Sequence, residues 1–268
     1  MQKTIFITGA SSGLGKAAAK LFQQKGWKVI ATMREPHLEK ELSELDNVSL
    51  LPLDVTRTEQ IKEAYSAAVA SGNVDVVFNN AGYGLLGAME AFNDEEIVSQ
   101  INTNLLGVIR VTQAFIPHFR ENKGGCFIST TSLGGQIGFP LTAVYNATKF
   151  AIEGWSEGLS YELAPHNIKI KTIAPGAIDT DFSGRSLEKR SHPAYKETED
   201  LLFASMGAMV AAASSAEQIA EIVFEAATDD KNQLCYLAGH DANALYNKRE
   251  EIGREAMRVE LGKQMLGL

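Results

Sequence analysis

TIFITGASSGLGKAAAKLFQQKG, Thr4 to Gly26, decides the fold. Thr4 to Thr8 is a short β-prone run, and glycines at 9, 13 and 15 follow it at once. Leu14, Ala17, Ala18, Leu21 and Phe22 then recur at helical spacing, so the segment reads strand, glycine turn, helix. Such a turn lets the backbone approach a pyrophosphate, while free N–H groups at the start of the helix face the anion. The spacing is G-x-x-x-G-x-G, wider than the common dinucleotide fingerprint. A lone glycine-rich turn is equally an ordinary loop; its place between a first strand and a first helix favours a nucleotide.

Outward from this unit the alternation repeats. Gly26 caps the helix and Trp27 to Thr32 reads as a second strand, closed by Met33 and Arg34. At this strand end an acid would bond a ribose 2′-hydroxyl and repel a 2′-phosphate, whereas arginine accepts the phosphate. Arg34 therefore favours NADP(H), with NAD(H) the alternative because Glu35 is adjacent and offers the arginine a partner or the ribose a ligand. Pro36 begins a short charged helix over HLEKELSEL, and Val48 to Leu53 is the third strand. Thr56 and Glu59 form a capping-box pattern for a helix through Ala70, leaving Asp54 either to meet an adenine amine or to cap that helix.

Val74 to Phe78 is continuous and β-branched, as in a strand covered on both faces, and Asn79-Asn80-Ala81-Gly82 follows it. That tetrapeptide serves as turn chemistry or as backbone facing a bound ribose. Asp94 opens a helical region to about Phe119, interrupted by Gly107, in which Asn102 is expected to satisfy a neighbour's backbone. Cys126 to Ser129 is the fifth strand. Short connections between alternating strands and helices predict a parallel sheet with right-handed crossovers, ligands sitting above the carboxyl ends of its strands.

Within SLGGQIGFPLTAVYNATK, Ser132 to Lys149, no proline or glycine interrupts Ala143 to Ile152, so Tyr145 and Lys149 share a helix face. Of seven tyrosines only Tyr145 has lysine four residues on. A free phenol titrates near ~10, and a neighbouring ammonium is expected to lower that value until the group serves as acid and base. Ser132 is placed to offer its hydroxyl to the same reacting oxygen. An amphipathic tyrosine over a solvated lysine is the plainer reading of the spacing alone.

The 268 residues suffice for one sizeable core. Lys and Arg total 25 against 33 Asp and Glu, a net charge of −8, which argues against nucleic-acid or anionic-membrane partners. Cys126 and Cys235 lack ligand spacing and are expected to be reduced and buried. No run approaches ~18 apolar residues and no secretory core opens the chain, so cytoplasmic residence is expected. His118 and His166 lack metal spacing, and no metal is assigned.

From Thr4 to Leu237 the chain resembles the short-chain dehydrogenase/reductase superfamily. TGASSGLG (Thr8 to Gly15) is similar to its TGxxxGxG, NNAG (Asn79 to Gly82) follows Asp75, and PGAIDT (Pro175 to Thr180) resembles its PGxVxT. Asn104, Ser132, Tyr145 and Lys149 match its Asn-Ser-Tyr-Lys tetrad. The resemblance implies a single-domain Rossmann-type α/β fold, a doubly wound parallel sheet of about seven strands with helices on both faces. It also implies that Tyr145 exchanges the proton, that Lys149 binds the nicotinamide ribose, that Ser132 orients the carbonyl or alcohol, and that Asn104 holds a water relaying protons. By the same resemblance the cofactor meets Gly9, Ser11, Ser12, Gly13, Leu14, Gly15, Arg34, Asp54, Val55, Asn80, Ala81 and Gly82. Tyr145, Lys149, Pro175, Gly176, Ile178 and Thr180 would hold its nicotinamide end.

Residues 1–239 are thus expected to form the dinucleotide-binding and catalytic domain. Within it Phe182 to Met209 is a substrate-loop insertion without a committed helix, and residues 240–268 add a C-terminal extension reading as one amphipathic helix. The function expected is NADP(H)-dependent hydride transfer between a nicotinamide and a small secondary alcohol or ketone by a homodimer or homotetramer. A nucleotide-sensing protein without turnover is the alternative from another class.

Overall fold

The computed structural model describes residues 2–179, 186–211 and 213–268. Strands β1 (Thr4–Thr8), β2 (Lys28–Met33), β3 (Val48–Pro52) and β4 (Val76–Asn79) come first, with the short β5 (Gly84–Leu86) after them. β6 (Gly125–Thr130), β7 (Ile168–Pro175), β8 (Ile178–Asp179), β9 (Leu187–Lys189), β10 (Ser214–Ser215) and β11 (Cys235–Ala238) follow. The helices are α1 (Gly13–Gln24), α2 (Thr58–Ala70), α3 (Asp94–Ile101), α4 (Gly107–Glu121), α5 (Ala143–Leu163), α6 (Lys196–Ala211), α7 (Ala216–Thr228), α8 (His240–Ile252) and α9 (Arg254–Leu266).

Seven strands form one parallel sheet in the order β11-β7-β6-β4-β1-β2-β3. The chain runs outward from β1 to β3 on one side and from β4 to β11 on the other. The reversal between β1 and β4 opens a crevice at their carboxyl ends, where open α/β sheets bind ligands. Period-two alternation divides the core. Ile5, Ile7, Val29, Ala31, Val76, Phe78 and Ile128 face α1 and α7, whereas Phe6, Ile30, Val77 and Phe127 face α2, α4 and α5. On the first face Phe22 meets Trp27 edge to face at 5.0 Å; on the second Phe6 and Phe115 lie 4.8 Å apart. A third cluster joins Leu86, Leu133, Ile137 and Leu202 to Met257, Leu261 and Met265 of α9, so the C-terminal helices roof the strand ends.

Several expectations are corrected. HLEKELSEL forms no helix, only 3₁₀ turns at Pro36–Leu38 and Leu42–Glu44, because the Glu39 carboxylate takes the N–H groups of Glu41 and Leu42 and pairs with Lys16. The capping box at Thr56 is absent: its N–H and hydroxyl both donate to Asp54 Oδ1, and α2 starts at Thr58. The helical region from Asp94 is not broken at Gly107. It passes through one π turn, Asn102–Leu106, and runs on to Glu121.

The insertion contains a helix after all, α6, preceded by β9 paired with β5, while residues 182–185 lie outside the described residues. The C-terminal helix is two, broken where Gly253 takes φ +83°. Cys126 is buried and Cys235 partly so, and burial pushes both thiols up to about 12. Among the described residues no helix is long and apolar enough to cross a membrane, and no three His, Cys, Asp or Glu side chains could hold a metal.

Candidate active site

The glycine turn closes β1 and opens α1, and the loop after β4 is bolted to it. Thr8 Oγ1 accepts from the N–H groups of Asn80 at 2.9 Å and Ala81 at 3.0 Å. Asn80 Nδ2 donates to the carbonyl of Gly9 at 3.2 Å, and Thr130 Oγ1 donates to Asn80 Oδ1 at 3.2 Å. Gly15 is required by this closeness, since a Cβ there would lie 2.3 Å from the Gly9 oxygen and 2.5 Å from Asn80 Nδ2. Ser12, the N-cap of α1, makes no side-chain cap bond, and the first turn carries no acid. The N–H groups of that turn are therefore left for an anion, and the donor set fits the phosphates of a dinucleotide. Ser11 is exposed on this turn, while the Leu14 side chain is buried in the core and offers the crevice only its backbone.

Arg34 is exposed directly after β2, and no ion pair joins it to Glu35 among the described residues. Glu39 and Glu41 pair with Lys16 and Lys20 instead. After β3, Asp54 holds its own loop through Thr56, and buried Val55 packs where α4 begins, 2.8 Å from the position of a Cβ on Gly107.

α5 carries Tyr145 and Lys149 one turn apart, with Lys149 Nζ 5.6 Å from the centroid of the Tyr145 ring. Ser132 follows β6; its hydroxyl accepts from Gly134 N–H at 3.0 Å, and it lies near enough to the Tyr145 phenol to act on its titration. Lys149 is only 6% exposed and donates from Nζ to the Thr130 carbonyl at 2.8 Å. Asn104 sits in the π turn, buried. Its Nδ2 donates to the Tyr83 carbonyl at 2.8 Å and its Oδ1 accepts the Tyr83 N–H at 3.0 Å, which holds the Gly82 loop against α5. Gln100 supports the same carbonyl at 2.7 Å. The backbone-satisfying role expected of Asn102 thus falls to Gln100 and Asn104.

Charge in the site is set by burial more than by spacing. Burial pushes the Tyr145 phenol above its ordinary value, with the nearby Ser132 hydroxyl pulling the other way, so the expected lowering by Lys149 is not what this geometry gives. Burial also brings Lys149 down to about 8, against the charge of Glu153. Glu153, one turn further along α5, has its carboxyl raised by burial and accepts from Thr131 Oγ1 at 2.5 Å and Thr172 Oγ1 at 2.9 Å.

Pro175 ends β7, and Gly176, Ala177 and Ile178 continue at the same edge; Thr180 lies outside the described residues. The crevice between β1 and β6 thus gathers the glycine turn, the Asn80 loop, Asn104, Ser132, Tyr145 and Lys149. Sequence reasoning missed Thr8, Thr130 and Glu153. Glu153 repeats the four-residue step from Lys149 and was legible on that ground, whereas the Thr130 contact is made by a carbonyl, which residue type does not reveal.

The family model described as "short chain dehydrogenase" matches residues 3–191. An uncharacterized oxidoreductase of Schizosaccharomyces pombe is 36% identical over 77% of this chain and 88% of its own length. A short-chain dehydrogenase from Streptomyces avermitilis superposes with a TM-score of 0.85 at 31% identity, covering 98% of this chain and 95% of that one. An alcohol dehydrogenase from Thermococcus sibiricus, solved with 5-hydroxy-NADP, gives a TM-score of 0.73 at 28% identity over 89% of this chain and 97% of its own. With the motifs, the parallel sheet and the converging side chains, these matches show that the chain belongs to the short-chain dehydrogenase/reductase superfamily of oxidoreductases.

Proposed function

We propose that the protein is an NADP(H)-dependent oxidoreductase that moves a hydride between the nicotinamide and a secondary alcohol or ketone carbon, with Tyr145 exchanging the proton on the substrate oxygen. The observation that carries this reading is Tyr145 with the Lys149 ammonium 5.6 Å from its ring centroid and the Ser132 hydroxyl acting on its phenol, at the edge where the glycine turn ends. When bound, the reduced nicotinamide supplies the hydride. Gly9 to Gly15 and the Asn80 loop would hold the phosphates and ribose, Asp54 and Val55 the adenine, and Pro175, Gly176 and Ile178 the far end. Arg34, exposed and free of Glu35, supports NADP(H) over NAD(H), as does the cofactor seen in the Thermococcus relative.

Burial keeps the proton on the Tyr145 phenol at neutral pH, so in the ketone direction Tyr145 begins as the acid and gives its O–H proton to the substrate oxygen. Ser132 orients that oxygen with its hydroxyl. Lys149 remains mostly an ammonium at pH 7 and stabilises the phenolate that forms. Exposed Phe150 and Tyr161 on α5 and Val98 on α3 support assembly into a homodimer or homotetramer.

Tyr145→Phe tests the reading against a panel of ketones, aldehydes and quinones, followed by NADPH absorbance. The variant is expected to bind nucleotide like wild type while turnover falls by about 10²–10⁴-fold. Unchanged turnover would remove Tyr145 from the mechanism.

A further inference from the structure

The loop after β7 is shaped by a residue from the far end of the chain. Asp241 stands in the first turn of α8, and its Oδ2 accepts the Ala177 N–H at 2.7 Å across 64 residues of sequence. The other carboxylate oxygen, Oδ1, is buried without a hydrogen-bond partner among the described residues. Both oxygens lie over Gly176: a Cβ on that residue would stand 2.1 Å from Oδ2 and 2.2 Å from Oδ1. Gly176 is not among the residues with positive φ, so space for this carboxylate, not backbone conformation, is what requires glycine there. Two further contacts complete the hold on the loop. Gly176 N–H donates to the Ala238 carbonyl at 3.0 Å, and the Ala177 carbonyl accepts from Ser214 N–H at 3.0 Å.

We propose that Asp241 is a positioning residue of the active site: its carboxylate fixes the main chain at Gly176 and Ala177 so that Pro175, Gly176 and Ile178 present a set surface to the nicotinamide end of the cofactor. This rests on the cofactor reading above. Asp241 itself is half-buried, but an Oδ1 buried without a partner is costly, and a purely apolar contact would dock α8 at less cost. The cost is offset by a charge-assisted hydrogen bond to the Ala177 N–H, beside the residues that face the nicotinamide end. The glycine turn and Arg34 lie on the other half of the sheet and do not depend on this tether. Losing Asp241 should therefore loosen one end of the cofactor and leave the other end alone.

The experiment compares Asp241→Ala and Asp241→Asn with wild type in three measurements: binding of NADPH, binding of 2′,5′-ADP, which lacks the nicotinamide end, and amide exchange over residues 176–179 without nucleotide. For Asp241→Ala, NADPH affinity should fall by about tenfold, matching one hydrogen bond to a charged group, with 2′,5′-ADP affinity unchanged and exchange at Ala177 faster. Asp241→Asn keeps one acceptor oxygen and should return NADPH affinity and the Ala177 exchange rate to wild-type values, with 2′,5′-ADP affinity again unchanged. Gly176→Ala should be damaging in the wild-type background and add little in Asp241→Ala, because the carboxylate it would strike has gone. Equal weakening of NADPH and 2′,5′-ADP would overturn the proposal by exposing a general structural role, and so would unchanged exchange at Ala177. Wild-type protein that binds neither nucleotide would overturn the cofactor reading, while the exchange comparison would still decide whether the tether exists.

Discussion

Lys149 is held in the site at a cost that can be measured. Burial lowers its pKa from the ordinary 10.5 to about 8, with only the charge of Glu153 acting the other way. Between those two values the unfolded chain binds a proton that the folded chain does not, so stability rises with pH through that window. The penalty is fully present below pH 8 and vanishes as pH rises past 10.5. At about 1.4 kcal/mol per pH unit it amounts to about 3 kcal/mol at pH 7, of which about 2 kcal/mol should be recovered by pH 9.5. Lys149→Met keeps most of the side-chain volume and cannot ionise. Urea denaturation of both proteins at pH 7.0 and 9.5 gives the change in stability for each. The difference between those changes removes pH-independent effects, including loss of the 2.8 Å bond to Thr130. Wild type should gain about 2 kcal/mol more than the variant over this interval, while the variant should lose turnover and nucleotide affinity. Equal changes in the two proteins would show that the ammonium is solvated in the folded state, and the electrostatic account of the site would fall with it.

Three more outcomes are expected. Arg34→Ala should weaken NADPH binding by about tenfold, as for one exposed charge-assisted contact, and leave NADH binding unaltered in parallel titrations; equal losses for both would remove Arg34 from cofactor choice. Lys171, 1% exposed on β7, bonds Asp229 at 2.6 Å and the Tyr236 hydroxyl at 2.9 Å. Asp229→Ala leaves that ammonium buried and unpaired, so urea denaturation at pH 7 should register a loss of about 3–5 kcal/mol, and a loss below about 1 kcal/mol would mean the pair is open to water. Although burial opposes it, Lys171 and Tyr236 hold the Asp229 carboxyl well below its usual range. Its contribution is therefore present above the unfolded value and should fade as wild type is acidified below about pH 4.

The parts legible in the sequence are those whose signal is local. β1, the glycine turn and α1 follow from a five-residue β-prone run, three glycines and a 3.6-residue apolar repeat, and they stand where that pattern puts them. β2 starts one residue and β4 two residues later than read, because the apolar run begins before the first ladder pairs, at Lys28 and Val76. The helix expected at HLEKELSEL failed because spacing does not report that a nearby carboxylate, Glu39, competes for the same backbone donors. α6 was hidden for a related reason: its weak repeat becomes a helix face only where Leu202 meets the cluster formed with α9.

By itself the sequence determined the strand–helix alternation that makes the sheet parallel and the strand ends at which its motifs fall, since each depends on residues within a turn or two of one another. It did not determine the short strands, the turns after β2, α6 or the break between α8 and α9. Only the tertiary structure decided how the motif side chains are charged and held. The roof of α8 and α9, the π turn that sends Asn104 to Tyr83, and the Asp241 contact with Ala177 join segments far apart in the chain. Burial is a property of that assembly: the same lysine four residues from the same tyrosine would titrate normally in water, and it is the packed protein around the pair that raises one group and lowers the other.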